Sequence, residues 1–181
     1  MKMWRIVGAL GTVGFTAVGF TPQALGQDER GFVVAVGDPV PAFELTDIDG
    51  QSYSNTSLLG TTYVLQFTAS WCSVCRAEMP HLEREVWQPF SSRESGFMLL
   101  GVDYDEGADK VRAFAQQMEV TYPMCPDPEG RVFHTVAAPK AGVTRNVVVD
   151  EQGTVVMLTR LFDEEEFARM VERLDALTGQ Q

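Results

Sequence analysis

Apolar positions along this chain fall into two patterns, short continuous runs and stripes spaced three to four residues apart. Thr61 to Ala69 (TTYVLQFTA) and Gly96 to Asp103 (GFMLLGVD) are continuous runs of β-branched, aliphatic and aromatic residues, as strands buried on both faces would be. Phe43 to Thr46 and the region of Tyr53 are shorter, and Asp49-Gly50 between them supplies the positive φ that a tight hairpin turn needs. Asn146 to Arg160 reads as two further strands around Gln152-Gly153. Cys75, Met79, Leu82 and Val86 predict a helix from Cys72 to Trp87 that Pro80 should kink. Val111, Phe114, Ala115 and Met118 predict a second helix over 108–118. Phe167, Met170, Val171, Leu174 and Leu177 predict a last one, capped by Asp163 with Glu166 three residues on as a loose capping box. The Pro-rich TYPMCPDPEG breaks regularity before a short helix near Arg131 to Val136. This order favours an α/β fold in which a central mixed sheet is flanked by helices on both faces.

The first 26 residues follow different rules. Lys2 and Arg5 precede an apolar run from Ile6 to Phe20, and Ala24-Leu25-Gly26 supplies the small residues of a cleavage site. The run is shorter than the roughly 20 residues that span a bilayer, so a cleaved signal peptide is expected, with an uncleaved anchor as the alternative. Residues 27–35 are then a flexible lead-in, and 36–181 form one domain. Export to a periplasmic or other extracytoplasmic space is the corresponding localisation, with no stable membrane span after cleavage.

Of 181 residues, 45% are hydrophobic and 22% charged, as in an ordinary globular domain. Removing Lys2 and Arg5 takes two of the 14 basic residues and none of the 25 acidic ones, so a net charge of −11 becomes more negative still. Such a surface repels phosphate backbones, which sets nucleic-acid binding aside.

An oxidising compartment changes what three cysteines mean, because a disulfide persists there. In WCSVCRAEMP, Cys72 and Cys75 stand two residues apart where the buried run gives way to the first helix. Covalent haem attachment requires His after the second cysteine, and Arg76 is there instead. A zinc site lacks ligands, with only Cys125, His81 and His134 elsewhere. A structural staple across so tight a loop stabilises little. Redox chemistry suits the position best. A sulfur at the first turn of a helix meets unpaired N–H groups and the positive end of the helix dipole, which favours thiolate over thiol. Cys72 is therefore the expected nucleophile, and Cys75, one turn on, the expected resolving thiol.

The string Trp71-Cys72-Ser73-Val74-Cys75 after YVLQFTAS, followed by Arg76, Glu78 and Pro80, resembles the thioredoxin superfamily, and WCxxCRxExP is similar to its TlpA-like branch, sometimes grouped with the redoxin (AhpC/TSA) domains. The similarity runs from about Val36 to Leu177. It implies a thioredoxin-like fold with an N-terminal β-hairpin and a central insertion, and an exported thiol-disulfide oxidoreductase without cofactor or metal. It also implies substrate proteins bearing thiols or disulfides, an electron donor or acceptor, and by default the reductase direction.

Two departures from the family pattern bear on the site. The buried acid expected six residues before the first cysteine is replaced by Gln66, so proton handling on that strand is unassigned. Glu78 is either a tuner of the cysteine pair, as the resemblance implies, or a solvated helix carboxylate. The usual cis-proline facing the cysteines is replaced by Thr144, where a cis bond would cost about 2.5–4 kcal/mol. Thr144 still offers backbone groups to a substrate and adds a hydroxyl, while Arg145 either brings a cation to the thiolate or points to solvent. Trp71 is expected to shield the sulfur, with Thr144 beside it lining the groove, and Trp87 to pack. Cys125 is either tucked under the Pro-rich segment or exchanges with the pair. Two other functions fit the same fold. A thiol peroxidase would want Thr where Ala69 stands, and a copper chaperone would recruit Cys125 or His134, the latter otherwise read as a partly buried helix histidine.

Overall fold

The computed structural model describes residues 30–93 and 96–179. The expected signal peptide and the first residues of the lead-in lie outside them. Three-residue strands β1 (Glu44–Thr46) and β2 (Ser52–Ser54) pair antiparallel as the hairpin. The main sheet contains β3 (Thr62–Thr68), β4 (Phe97–Tyr104), β5 (Met124–Asp127), β6 (Arg145–Val149) and β7 (Val155–Arg160), in the order β5-β4-β3-β6-β7. β3, β4 and β5 run parallel, whereas β6 is antiparallel to β3, and β7 to β6. β3 takes the centre because all seven of its residues are buried, as its unbroken apolar run requires.

Helix α1 (Ser73–His81) follows β3 and continues through a π-helical stretch, Leu82–Trp87, into the single turn α2 (Gln88–Phe90). Pro80 lacks the N–H of a regular turn and crowds the carbonyl four residues back. The helix absorbs this in the wider π winding just beyond, where the Gln88 N–H reaches the carbonyl of Glu83, five residues back. Helix α3 is Ala108–Met118, α4 is the single turn Phe133–Val136, and α5 is Glu164–Thr178. Asp163 caps α5 by accepting the Glu166 N–H at 2.8 Å. The Glu166 carboxylate turns instead to Arg30 and to the Arg160 N–H, so that carboxylate serves the sheet.

The faces of the sheet are covered unequally. Met79, Leu82, Val86 and Phe90, Val111 and Phe114, and Phe167, Met170 and Leu174 pack together, which places α1, α3 and α5 on one face. The other face buries Phe32, Val34, Phe43, Leu45, Phe133 and Val136, from the N-terminal segment, the hairpin and α4.

Two expectations are corrected. Residues 30–35, expected within a flexible lead-in, are docked. Phe32 is 0% exposed and bridges Ala137, the Val33 N–H donates to Val136, and Arg30 reaches Glu166 and the Leu158 carbonyl. The Pro-rich segment contains a regular strand, β5. Pro126 is accommodated because β5 is an edge strand, where one N–H fewer costs no ladder bond on the open side. Gly101 of β4 permits this packing. A Cβ there would lie 2.2 Å from the Met124 sulfur and 3.0 Å from the Tyr122 ring.

Candidate active site

Cys72 is the N-cap of α1, with extended φ/ψ of −87° and 108°. Its Sγ accepts the Cys75 N–H at 3.2 Å, the place an Asp or Ser oxygen takes in most helices. Cys72 is partly exposed, Cys75 is 0% exposed, and both are free thiols. Thr144, in the loop leading into β6, faces them because β6 runs antiparallel beside β3. Its Oγ1 lies 3.1 Å from Cys72 Sγ and 3.1 Å from Cys75 Sγ. Among the described residues no peptide bond is cis. The Thr144 carbonyl accepts the Leu161 N–H. Burial drives the Cys75 thiol well above its ordinary pKa. Cys72 adds to that rise, and the Thr144 and Thr68 hydroxyls oppose it.

The loop bearing Cys72 is clamped through Ser70. Its N–H and hydroxyl donate to the two Glu106 carboxylate oxygens at 2.7 and 2.8 Å, and its carbonyl accepts from Arg76 at 3.1 Å. Lys110 pairs with the same carboxylate. Burial works against the charge on Glu106, but Lys110, Ser70 and Asp103 outweigh it and hold the carboxyl down to about 2. Asp103, 0% exposed at the end of β4, is pushed up to about 8 by burial and then by Glu106 beside it. Sequence reasoning missed Glu106 and Asp103. Thirty-six residues separate Ser70 from Glu106, and no local pattern signals the pairing.

Beneath α1 lies a buried polar layer. Glu78 is 1% exposed, which rules out the solvated carboxylate. Asn146 Nδ2 donates to Glu78 Oε1 at 2.7 Å and to Thr159 Oγ1 at 2.8 Å. Burial raises the Glu78 carboxyl to about 7, with Asn146 opposing and the charge of Glu166 adding to the rise. Gln66, 0% exposed and opposite Asn146 in the ladder, accepts from the Tyr122 hydroxyl at 3.4 Å. An amide there keeps the strand position polar without a charge.

Trp71 is 63% exposed, so it stands beside the sulfur as an open wall rather than a lid. With Tyr104, Phe133, His134, Thr144 and Leu161 it borders a cleft of about 260 Å³ that Cys72 enters. His134, read as partly buried, is exposed and stands edge-on to Tyr104 and Phe133. Arg145 does not point to solvent. It is 0% exposed, its guanidinium donates to the Gly142 and Gly31 carbonyls, and it lies 4.4 Å over the Phe32 ring. It thus ties the 142–144 loop to the N-terminal segment. Trp87 packs at the surface, with its indole N–H on Thr121. Cys125 is 0% exposed in the core, and burial raises its thiol to about 12, conditions that suit a shielded thiol. Among the described residues no group of three or more His, Cys, Asp or Glu is placed to hold a metal ion.

A family model described as the AhpC/TSA family matches residues 36–158. The chain is 27% identical over 146 residues to the thiol-disulfide oxidoreductase ResA of Bacillus cereus, covering 81% of this chain and 78% of the relative. Against the ResA of Geobacillus kaustophilus the identity is 27% over 176 residues, 96% of this chain and 98% of the relative. The solution structure of a putative protein disulfide isomerase from Bacteroides thetaiotaomicron superposes with a TM-score of 0.79 at 43% identity, covering 83% of this chain and 94% of that one. A thiol:disulfide interchange protein of the thioredoxin family from Chlorobium tepidum gives a TM-score of 0.63 at 26% identity, covering 78% and 98%.

Proposed function

The chain belongs to the AhpC/TSA family and is a thiol-disulfide oxidoreductase of thioredoxin-like fold, and from that premise we propose that Cys72 attacks the disulfides of other proteins and Cys75 resolves the resulting mixed disulfide. The observation that carries this assignment is the asymmetry of the two sulfurs. Cys72 Sγ is partly exposed at the mouth of the cleft and accepts a helix N–H, whereas Cys75 Sγ is wholly buried behind it. The exposed sulfur is placed to meet a substrate, and the buried one to close the bridge afterwards. Electrons travel through the sulfurs, so the reaction calls for no cofactor.

Trp71 and Leu161, 63% and 45% exposed, offer apolar surface on which an extended substrate segment rests. Glu78, buried and near neutrality in its ionisation, tunes the pair through its charge. The working direction is reduction of substrate disulfides, with a separate donor returning the electrons. The Lys2 and Arg5 flanked apolar run supports export, cleavage after Gly26 and action outside the cytoplasm. No helix among the described residues is long and apolar enough to cross a membrane.

The decisive experiment traps substrates. Cys75→Ser leaves the mixed disulfide on Cys72 unresolved, so disulfide-linked partners should accumulate on this variant and be released by reductant. Recovery of no more partner than from Cys72→Ser would remove the case for a protein substrate. The intact mass of the exported chain checks cleavage.

A further inference from the structure

We propose that the Thr144 hydroxyl is a catalytic proton carrier, taking the proton of Cys75 as that sulfur closes the disulfide. The proposal rests on the exchange reading above and adds the group that moves the proton. A hydroxyl has one hydrogen and two lone pairs, so it accepts from one neighbour while donating to another. Thr144 Oγ1 touches both sulfurs at 3.1 Å and is 3% exposed with its residue, away from bulk water. The two sulfurs set the direction. Cys72 Sγ already accepts the Cys75 N–H at the head of α1, which makes it the acceptor end. Cys75, buried, is the end that retains its proton. The chain of hydrogens therefore runs from Cys75 S–H to Thr144 Oγ1 and from Thr144 O–H to Cys72 Sγ.

Other candidates for this proton lack a charge or reach neither sulfur. Gln66 is an amide. The Glu78 carboxyl, one turn along α1, is bonded through Oε1 to Asn146, and its Oε2 has no hydrogen-bond partner among the described residues, neither sulfur included. The other groups acting on Cys75 are Cys72 and the hydroxyl of Thr68 from β3, and Tyr122, ahead of β5, feels its charge. Only Thr144 among these contacts both reacting sulfurs.

In the mixed disulfide, Cys72 Sγ is bonded to the substrate sulfur. A lone pair of Cys75 Sγ forms the Cys72–Cys75 bond, and the Cys72–substrate bond breaks with its electron pair leaving on the substrate sulfur. The Cys75 proton passes to Thr144 Oγ1 as the hydroxyl's own proton, directed at Cys72 Sγ, is taken up by the substrate sulfur departing from that atom, which leaves as a thiol. The dithiol loses two electrons, the substrate disulfide gains them, and the hydroxyl is restored.

The test uses reduced full-length protein mixed with excess oxidised glutathione, a peptide disulfide that reacts at Cys72 in place of a protein substrate. Rapid acid quenching and mass measurement count the Cys72–glutathione adduct and the internal disulfide separately. Thr144→Val keeps the branched shape without the hydroxyl. It should accumulate adduct, resolving it about 100-fold more slowly at neutral pH, the scale of general acid–base catalysis, with a pH–rate profile displaced upward. Thr144→Ser, which restores the hydroxyl, should recover most of the rate. Thr144→Ala serves as a second hydroxyl-free variant should the valine disturb folding, as judged by circular dichroism. Resolution at the unmodified rate and pH profile in a folded hydroxyl-free variant overturns the carrier and leaves the exchange reading standing. Failure of every form, including the unmodified protein, to pass through a Cys72 adduct overturns the exchange reading and this one with it.

Discussion

Asn146 donates to Glu78 across 2.7 Å, joining the start of β6 to the first helix beneath the cysteine pair. Glu78 Oε2 has no hydrogen-bond partner among the described residues, so one amide carries the polar contact of a carboxyl that is 1% exposed. A buried charge with so little compensation is costly, and the carboxyl responds by holding its proton to about pH 7.

This has a measurable sign. Between roughly pH 4.5 and 7 the folded chain binds the Glu78 proton that the unfolded chain has released. Stability is therefore greatest below that window and falls as pH rises through it, by about 3 kcal/mol for this group. Asp103, raised to about 8, acts in the same sense and extends the fall upward. Urea unfolding from pH 4.5 to 8 should show the decline, and Glu78→Gln should flatten the part below pH 7. Curves that stay parallel would mean that Glu78 is ionised throughout.

Asn146→Ala removes the amide and should cost about 1–3 kcal/mol, more at pH 8 than at pH 5, because an ionised Glu78 depends on the donor more than a neutral one does. Combining it with Glu78→Gln in a double-mutant cycle should reveal coupling at pH 8. Equal costs at both pH values would count against the dependence on charge.

Glu106→Ala deletes both acceptors of the Ser70 clamp. At pH 7 the loss should be about 2 kcal/mol. Because Glu106 is held down to about 2, its contribution is present above the ordinary carboxyl range and disappears as pH falls toward 2. Unfolding at pH 7 and near pH 2.5 measures the difference. The variant should also slow the reaction of Cys72 with oxidised glutathione, since the loop carrying that sulfur is released.

Alkylation should distinguish the three thiols. At neutral pH iodoacetamide should modify Cys72 alone, because Cys75 and Cys125 are both 0% exposed and their thiols are shifted upward by burial. In denaturant all three should react. Labelling of Cys125 in the folded chain would show that β5 opens readily.

Much of the fold was legible along the chain because burial leaves a local trace. β3 and β4 appear as unbroken apolar runs, and α3 and α5 as stripes at helical spacing, since each element's inward face is written in its own residues. β5 escaped because Pro126 and Pro128 resemble loop punctuation until the strand is known to lie at an edge. The docking of Phe32 escaped because a short polar-flanked segment bears no periodicity, and its burial depends on Arg145 and α4 meeting it from distant parts of the chain.

What the amino-acid order determined by itself was the chemistry on offer: two thiols one helical turn apart at a strand-to-helix junction, with the central strands and long helices to hold them. Only the tertiary structure decided what surrounds those sulfurs. Thr144 reaches both of them from 69 and 72 residues away, Glu106 holds Ser70 from 36, and Asn146 meets Glu78 from 68. Polar contacts between such distant residues follow from strand pairing and from exclusion of water when the sheet faces close, and neither is encoded in any local stretch.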